Sequence, residues 1–346
     1  MTAPDGRSAE GRGELNRSRL HHYAPWVFVL VLALLPLAFP DPYMLAVLTS
    51  AGIFIIGAIS LNLLLGYTGQ LSLGHVAFFG LGAYTSALAS LGFDIGIGFG
   101  LRITLQPQPV WLGFIAAIIV AGGFGWLLGR LAFRVRGAYF VIITICFAQV
   151  LRMVALNWIE LTQGPMALIS IPPFSMWLPG QGVVPLYSKA QNYWLVLAVA
   201  VLAFIVVRQL VESRIGRALV ALRANESLAR SVGIRVTHYL VIAAVISAGI
   251  AGAAGSLFAH YIRIIDPDVF LFIYTVTMVI MVITGGKGTL WGPVVGGLIF
   301  GLVPDLLRGH ARPEAQWVLY GVAMILFVMF LPRGIVPALA SLRRRA

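Results

Sequence analysis

Residues 61–89 read LNLLLGYTGQLSLGHVAFFGLGAYTSALA, and this stretch decides the kind of fold that the chain adopts. It consists of two apolar runs joined by a glycine-rich polar segment, GYTGQLSLGH, at residues 66–75. An unpaired backbone amide in hydrocarbon costs several kcal/mol, so such a break is stable only inside protein or along a water-filled path. The break therefore indicates a transport pathway at the seam between two membrane spans.

The composition places the chain in a membrane. Of its 346 residues, 60% are hydrophobic and 10% are charged, which is more apolar surface than a soluble core can bury. The single cysteine, Cys146, excludes a disulfide within the chain. A net charge of +12 would suit nucleic-acid binding in a soluble protein, but in a membrane protein basic residues set the orientation of the spans.

Apolar runs long enough to cross a bilayer recur along the whole chain. They predict an all-α fold, a polytopic membrane helix bundle of about eight to ten transmembrane helices. The first run follows an arginine-rich N-terminus as in a signal peptide, but it lacks an A-x-A cleavage site, so we interpret it as a retained span. The runs fall at residues 24–39, 44–66, 71–92, 110–129, 137–157, 193–210, 239–260, 269–284, 289–306 and 316–331.

The basic residues predict the orientation of these spans. With the N-terminus in the cytoplasm, most of the 24 Lys and Arg residues fall on the cytoplasmic side, as the positive-inside rule requires. Both termini are then cytoplasmic. The chain divides into a polar tail at 1–23, expected to be disordered, a transmembrane domain at 24–332 and a basic tail at 333–346. The longest outer connection, 158–192, is expected to lie on the membrane surface as a lid or re-entrant piece.

The only substantial cytoplasmic loop, residues 212–238, predicts a helical hairpin. Ser213 can cap a first helix and Asn225 a second one that begins at Glu226, where the helix dipole favours an acid. Gly233 is a natural C-terminal stop. The alternative is a basic interfacial helix held by anionic lipid. That alternative explains the arginines but not the second capped helix, so we favour docking of a partner protein.

These residues carry a resemblance to a known family. Glu226, Ala229 and Gly233 match the E-x-x-A-x-x-x-G core of the coupling loop in ABC importer permeases. Over about residues 40–332, the chain resembles the M-type permease subunit of branched-chain amino-acid importers. The motifs stand in that family's order: LNLLLGYTGQLSLGHVAFFGLGAYTSA, RVRGAYFVIITICFAQVLR, the hairpin, AGIAGAAGSLFAHYIRIIDPDVF and GGKGTLWGPVVGG.

The resemblance implies a function, partners and a location. It implies an inner-membrane permease subunit that translocates branched-chain amino acids, or related hydrophobic or small amide substrates, into the cytoplasm. The implied partners are a homologous second permease, two cytoplasmic ATPase subunits and an extracytoplasmic substrate-binding protein. ATP and Mg would be bound by the ATPases, with no cofactor in this chain. The implied ATPase-coupling residues are Arg217, Glu226, Ala229 and Gly233.

The glycine-rich break has two interpretations. It either lines the pathway as a gate hinge, or its small residues pack helices closely and His75 is a hydrogen-bonded structural histidine.

In the fifth predicted span, Gln149 and Arg152 lie one turn apart. A charge within the membrane is a functional candidate, although we favour a structural role for Arg152 near the outer end. The predicted pathway residues are Asn62, Gly69, Gln70, Ser72, Gly74, His75 and Gln149.

The outer side departs from the family pattern in one loop. Similar permeases carry Thr-Gly-Gly-x-x-Gly-Leu there, whereas residues 162–168 read TQGPMAL, with Gln163 and Ala167 in place of glycines. We expect reduced backbone freedom at both positions, which affects the loop conformation and substrate choice. Arginines predicted on the outer side are candidates for docking the binding protein. They are Arg102, Arg263, Arg308 and Arg312.

The remaining motifs argue against an enzyme. The segment GGKGTLWGP at 285–293 shares G-x-x-G-x-L with the break, which suggests a parallel internal repeat. It is not a phosphate loop, because Met281 stands where the motif needs glycine, so we expect no ATPase site. No H-E-x-x-H or G-x-S-x-G motif is present. The alternative function is an ATP-independent channel or secondary carrier for a small polar solute such as urea.

Overall fold

The computed structural model describes residues 30–37, 41–96, 102–135, 137–178, 182–307, 321–322, 325–326, 329–331 and 334–345. These residues are mostly helical, and residues 30–37 are helical as well. In chain order the helices are α1 (Pro42–Asn62), α2 (Val76–Leu91), α3 (Val110–Ala132), α4 (Ala138–Asn157), α5 (Ile159–Thr162), α6 (Lys189–Glu212), α7 (Arg214–Ala224), α8 (Glu226–Ser231), α9 (Val236–Ile262), α10 (Phe272–Gly285), α11 (Gly292–Leu307) and α12 (Ile335–Arg345).

The helices confirm an all-α membrane bundle. Among the described residues, five helices are long and apolar enough to cross a membrane, and three shorter apolar helices accompany them. These eight correspond to eight of the predicted spans. The predicted first and last spans, 24–39 and 316–331, are described only in part, and the tail at 1–23 lies outside the described residues.

The first and last of the five long helices form the centre of the bundle. In the most apolar window of each, 72% of residues are buried for Pro42–Thr68 and 78% for α9, against 22% for α4 and for α6. Small residues let α9 approach its neighbours closely: a side chain at Gly252 would lie 2.6 Å from the Ala121 methyl on α3. Interfaces of small residues are typical of packed membrane helices. The small residues at 247–256 therefore belong to a helix-packing face.

Two of the short helices begin side by side inside the bundle. The N–H of Val76, the first residue of α2, donates to Thr275 Oγ1 in the first turn of α10 at 3.0 Å. The two helices have 16 and 14 residues, fewer than the roughly 20 that span a bilayer. Each is therefore a partial span, and a segment that is not α-helical precedes each start.

The connections at one end of the bundle contain two strand hairpins and a packed loop. Strands β1 (Phe93–Gly96) and β2 (Arg102–Leu105) pair antiparallel, as do β3 (Ser175–Leu178) and β4 (Gly182–Pro185). The connection 158–192, predicted to lie on the outer side and called the outer loop below, is fixed to the helices at Leu168 and Ile265, which exchange two backbone hydrogen bonds of 2.8 and 3.0 Å. The Pro172 carbonyl also lies 2.6 Å from His260 Nδ1 on α9.

The same loop keeps the backbone that glycines would favour. Gln163 has φ 57° and Ala167 has φ 63°, both in the left-handed region. Gln163 and Ala167 have less backbone freedom than glycine, but both still adopt a positive φ. The bridge at Leu168 adjoins Ala167, so we attribute the unfavourable backbone to contacts that hold the loop on both sides.

Candidate coupling and translocation site

The first long span ends irregularly at the break. Residues Leu63–Thr68 form a π-helical turn, and Gly69 follows with φ 75°. The Leu64 carbonyl accepts hydrogen bonds from the N–H of Gly69 and, at 3.1 Å, from the N–H of Gln70. π-helical turns are frequent at functional positions. Here the turn and the left-handed glycine redirect the chain at the start of the segment that the sequence singles out.

Asn62 joins the break to the second glycine-rich loop. Its buried side chain donates from Nδ2 to the Thr289 carbonyl at 2.9 Å, and its Oδ1 accepts from the Gly288 N–H at 2.9 Å. A side chain at Gly66 would collide with Asn62 and with the Gly288 backbone. The two loops that share G-x-x-G-x-L are therefore in direct contact, and glycine is required at Gly66 for their approach.

Arg223 links the helical hairpin to this contact. It lies in the last turn of α7, and its Nη1 donates to the Gly66 carbonyl. A side chain at Gly69 would lie 3.3 Å from the Arg223 Cγ, and one at Gly288 would meet the guanidinium. Arg223 thus connects α7 to the point where the two loops meet. Sequence reasoning missed Arg223, because its only local signal is that of a basic residue favoured near a helix C-terminus.

The hairpin has the caps that its sequence predicts. Ser213 Oγ accepts from the Ile215 N–H at 3.1 Å, and Asn225 Oδ1 accepts from the Leu228 N–H at 3.1 Å. Gly233, with φ 86°, donates to the Arg230 carbonyl at 3.0 Å. The next N–H, of Ile234, reaches the Ala229 carbonyl at 3.1 Å, which completes a Schellman motif. The predicted helical hairpin is confirmed.

One side of the hairpin is apolar and exposed. Leu228 is 62% exposed and Val232 is 71% exposed. Ala229 between them is buried against Leu222, Val236 and Leu240, so its small size serves packing within the hairpin. Exposed apolar residues of this kind mark sites of interaction with other molecules. The sequence reasoning named Ala229 but not its two exposed neighbours.

The predicted coupling residues Arg217 and Glu226 lie on the same hairpin. Arg217 is exposed, and its Nη1 donates to the Glu212 carbonyl at 3.4 Å. Glu226 is in the first turn of α8 and forms an ion pair of 3.3 Å with Arg230. Both positions remain candidates for ATPase contact.

His75 is fully buried and hydrogen-bonded. Its Nε2 lies 2.7 Å from Ser60 Oγ, and the Ser60 hydroxyl donates to the Gly57 carbonyl at 2.6 Å. Ser60 therefore accepts from His75, which carries its proton on Nε2. A second serine–histidine pair has the opposite direction: His260 Nδ1 donates to the Pro172 carbonyl, so its Nε2 accepts from the Ser86 hydroxyl at 2.7 Å. This geometry favours the structural interpretation of His75, and its role in the pathway stays a prediction.

The other pathway candidates differ in accessibility. Ser72 and Gly74 are buried, and a side chain at Gly74 would collide with the Thr144 backbone on α4. Gln70 and Gln149 are half-buried. The structure thus gathers the candidates between Asn62 and His75 into one region and places Gln149 on α4, more than one turn beyond Thr144. A role in substrate passage stays a prediction for all of them.

The candidates for docking a binding protein are only partly described. Arg102 is exposed at the start of β2. Arg263 is also exposed; its Nε donates to the Ile171 carbonyl at 3.2 Å, and its guanidinium lies 5.8 Å from the Tyr187 ring centroid. Arg263 therefore also holds the outer loop. Arg308 and Arg312 lie outside the described residues.

The described residues offer no cluster of metal ligands. Within these residues, no three His, Cys, Asp or Glu side chains lie close enough together to hold a metal ion. The candidate site therefore consists of the broken helices, the two glycine-rich loops that contact each other, and the capped hairpin that contacts both loops.

Comparison with known proteins identifies the family. A family model described as the permease component of branched-chain amino acid transport systems matches residues 43–328. The chain belongs to this family. The permease is accordingly a multi-pass membrane protein, as its apolar helices indicate.

Individual relatives agree with this assignment. The permease is 30% identical over 338 residues to the high-affinity branched-chain amino acid transport system permease protein LivM of Salmonella typhimurium, covering 89% of this chain and 75% of the relative. It is 26% identical over 292 residues to LivH of Escherichia coli, covering 80% and 89%. It is 25% identical to a probable LivM of Methanocaldococcus jannaschii, covering 83% and 91%. No solved structure matches the chain.

Proposed function

We propose that the permease is the membrane-spanning subunit of an ABC importer and that it carries branched-chain or related hydrophobic amino acids into the cytoplasm. Separate ATPase subunits bind the hairpin through its exposed apolar residues. The contact from Arg223 to the Gly66 carbonyl carries the proposal. It joins a partner-binding element to a break in a membrane span, which is the connection that an externally powered transporter needs.

The mechanism follows from this connection. Closure of the ATPases on ATP displaces α7, and Arg223 transmits the displacement to the Gly66 carbonyl. The Asn62 hydrogen bonds couple the break to the loop at Gly288 and Thr289. Both partial spans, α2 and α10, adjoin these loops and therefore shift together. Their movement opens the pathway alternately to each side of the membrane.

The proposal includes partners outside this chain. The chain matches both LivM and LivH of Escherichia coli, which supports a homologous second permease beside this one. Two ATPases bind ATP and Mg, and no cofactor is proposed for this chain. An extracytoplasmic binding protein delivers substrate, with Arg102 and Arg263 as contacts. The complex resides in the inner membrane with both termini of the permease in the cytoplasm.

Co-purification tests the docking step. Leu228→Asp places a charge in the exposed apolar face and should release the ATPases while the permease still inserts in the membrane. Glu226→Arg and Gly233→Trp should abolish uptake by the same route. The matched control is Ile169→Asp, since Ile169 is 58% exposed on the outer loop. If Leu228→Asp retains the ATPases as well as the control does, the hairpin is not their binding site.

A further inference from the structure

An accessible ion pair joins α4 to the turn before α10. Arg152 Nη2 lies 2.8 Å from Asp268 Oδ1, and the two side chains are 25% and 56% exposed. Asp268 lies in the 3₁₀ turn Pro267–Phe270. The Arg152 Nε is buried and has no hydrogen-bond partner in the part of the chain that the structure describes. Exposed ion pairs contribute little to stability, so stabilisation alone is a weak reason for these two charges beside apolar helices.

Four aromatic rings lie together where α1, α2, α9 and α10 meet. We call Phe54, Phe79, Phe258 and Tyr274 the aromatic patch. Ring centroids within it are between 5.4 Å, for Phe79 and Phe258, and 6.5 Å, for Phe79 and Tyr274. Phe79 is buried, whereas the other three are only partly buried. The patch therefore combines a packed base with an accessible apolar face.

Tyr274 connects the aromatic patch to the ion pair. Two successive hydrogen bonds lead from Asp268 to Tyr274: Leu271 N–H to the Asp268 carbonyl at 2.9 Å, and Tyr274 N–H to the Leu271 carbonyl at 3.2 Å. Tyr274 also packs in one cluster with Leu151, the residue before Arg152. The ion pair and the aromatic patch therefore both adjoin the start of the partial span α10.

We propose that this junction is a weak binding site for an aliphatic amino acid in its zwitterionic form. Arg152 donates to the substrate carboxylate, Asp268 accepts from the ammonium group, and the aromatic patch contacts the apolar side chain. A ligand that carries both charges can separate the ion pair and replace each partner, whereas a neutral solute such as urea cannot. The inference rests on the proposed function and specifies its substrate class.

Saturation-transfer NMR on the assembled transporter, without its binding protein, tests the site directly. L-leucine should receive saturation, whereas isocaproate, which lacks the ammonium group, and isoamylamine, which lacks the carboxylate, should receive much less. Arg152→Gln and Asp268→Asn should each weaken leucine binding by about tenfold or more, as expected for loss of one charged hydrogen bond. Phe258→Ala should reduce the preference for leucine over glycine.

A matched ion pair supplies the control. Arg208 and Glu212 on α6 lie 2.8 Å apart with side chains 38% and 59% exposed, and Arg208→Gln or Glu212→Gln should leave leucine binding unchanged. The exchange Arg152→Asp with Asp268→Arg separates binding from structure. A purely structural pair is restored by the exchange, whereas the proposed site is inverted and stays weak. Full recovery of leucine binding in the exchanged variant would overturn the inference.

The readouts separate this inference from the proposed function. ATPase co-purification and ATP hydrolysis are measured on the same variants. If the ATPases remain bound while Arg152→Gln and Asp268→Asn bind leucine normally, the inference fails and the proposed function stands. If the unaltered chain retains no ATPases, the proposed function itself fails.

Discussion

Replacing Arg223 by alanine should uncouple ATP hydrolysis from transport. The substitution removes the hydrogen bond from the guanidinium to the Gly66 carbonyl and the aliphatic contact beside Gly69. It leaves unchanged the exposed face of Leu228 and Val232, so ATPase binding should persist. The loss falls on the step that transmits movement from α7 to the break.

The type of hydrogen bond that is removed sets the size of the expected loss of coupling. A hydrogen bond from a charged donor contributes about 1.5–3 kcal/mol, which corresponds to between about tenfold and about a hundredfold in an equilibrium between two conformations. Substrate transported per ATP hydrolysed should fall by that factor. Arg223→Lys keeps the charge but not the planar guanidinium, so its effect should be intermediate.

The assay measures uptake and ATP hydrolysis in the same proteoliposomes, which contain the permeases, the ATPases and the binding protein. Arg214→Ala is the control, because Arg214 lies on the same helix α7 and is exposed. We expect an unchanged transport ratio for Arg214→Ala. A ratio for Arg223→Ala equal to that of Arg214→Ala would refute the role of Arg223 in coupling.

Three further substitutions test the packing. Asn62→Leu leaves the Gly288 N–H and Thr289 carbonyl without their partner and should lower the free energy of unfolding by about 2–4 kcal/mol. Ala167→Gly should raise it by about 1 kcal/mol, because φ 63° with ψ 151° is a conformation that essentially only glycine adopts freely. Gly252→Leu should prevent close packing of α9 on α3 and reduce the yield of folded protein.

Thermal unfolding in detergent checks the first two changes and the yield of monodisperse protein checks the third. Asn157→Leu is the control for Asn62, since Asn157 is exposed and, among the described residues, its side chain bonds within its own helix, to the Met153 carbonyl at 2.8 Å. Gly123→Leu is the control for Gly252, because a side chain at Gly123 would meet nothing within 4 Å in the part of the chain that the structure describes. If a variant has the same thermal stability or yield as its control, the contact that it removes does not contribute to folding as argued.

Local patterns in the sequence predicted the helices and the hairpin. Apolar runs locate spans because their length must match the bilayer, and Ser213, Asn225 and Gly233 act through hydrogen bonds to residues at most five positions away. The caps are therefore readable without a structure. The outer loop was harder, because contacts at Leu168 hold Ala167 in a backbone region that its own preference disfavours.

Long-range contacts were not predictable in the same way. Arg223 and Gly66 are separated by 157 positions, and Asn62 and Gly288 by 226. No periodicity or capping rule relates such positions. The sequence named the break and the hairpin separately, and the shared G-x-x-G-x-L pattern suggested a relation between the two loops. Only the three-dimensional structure shows that the break, the loop at Gly288 and the hairpin are joined, through the side chains of Asn62 and Arg223.

The most direct test of the account compares leucine uptake by vesicles that contain the permeases with and without the ATPase subunits. We expect ATP-dependent uptake only when the ATPases are bound at the hairpin, and no sustained uptake by the permeases alone. Uptake at an undiminished rate by the permeases alone, in the absence of nucleotide, would contradict the claim that movement of α7 by a separate motor drives transport.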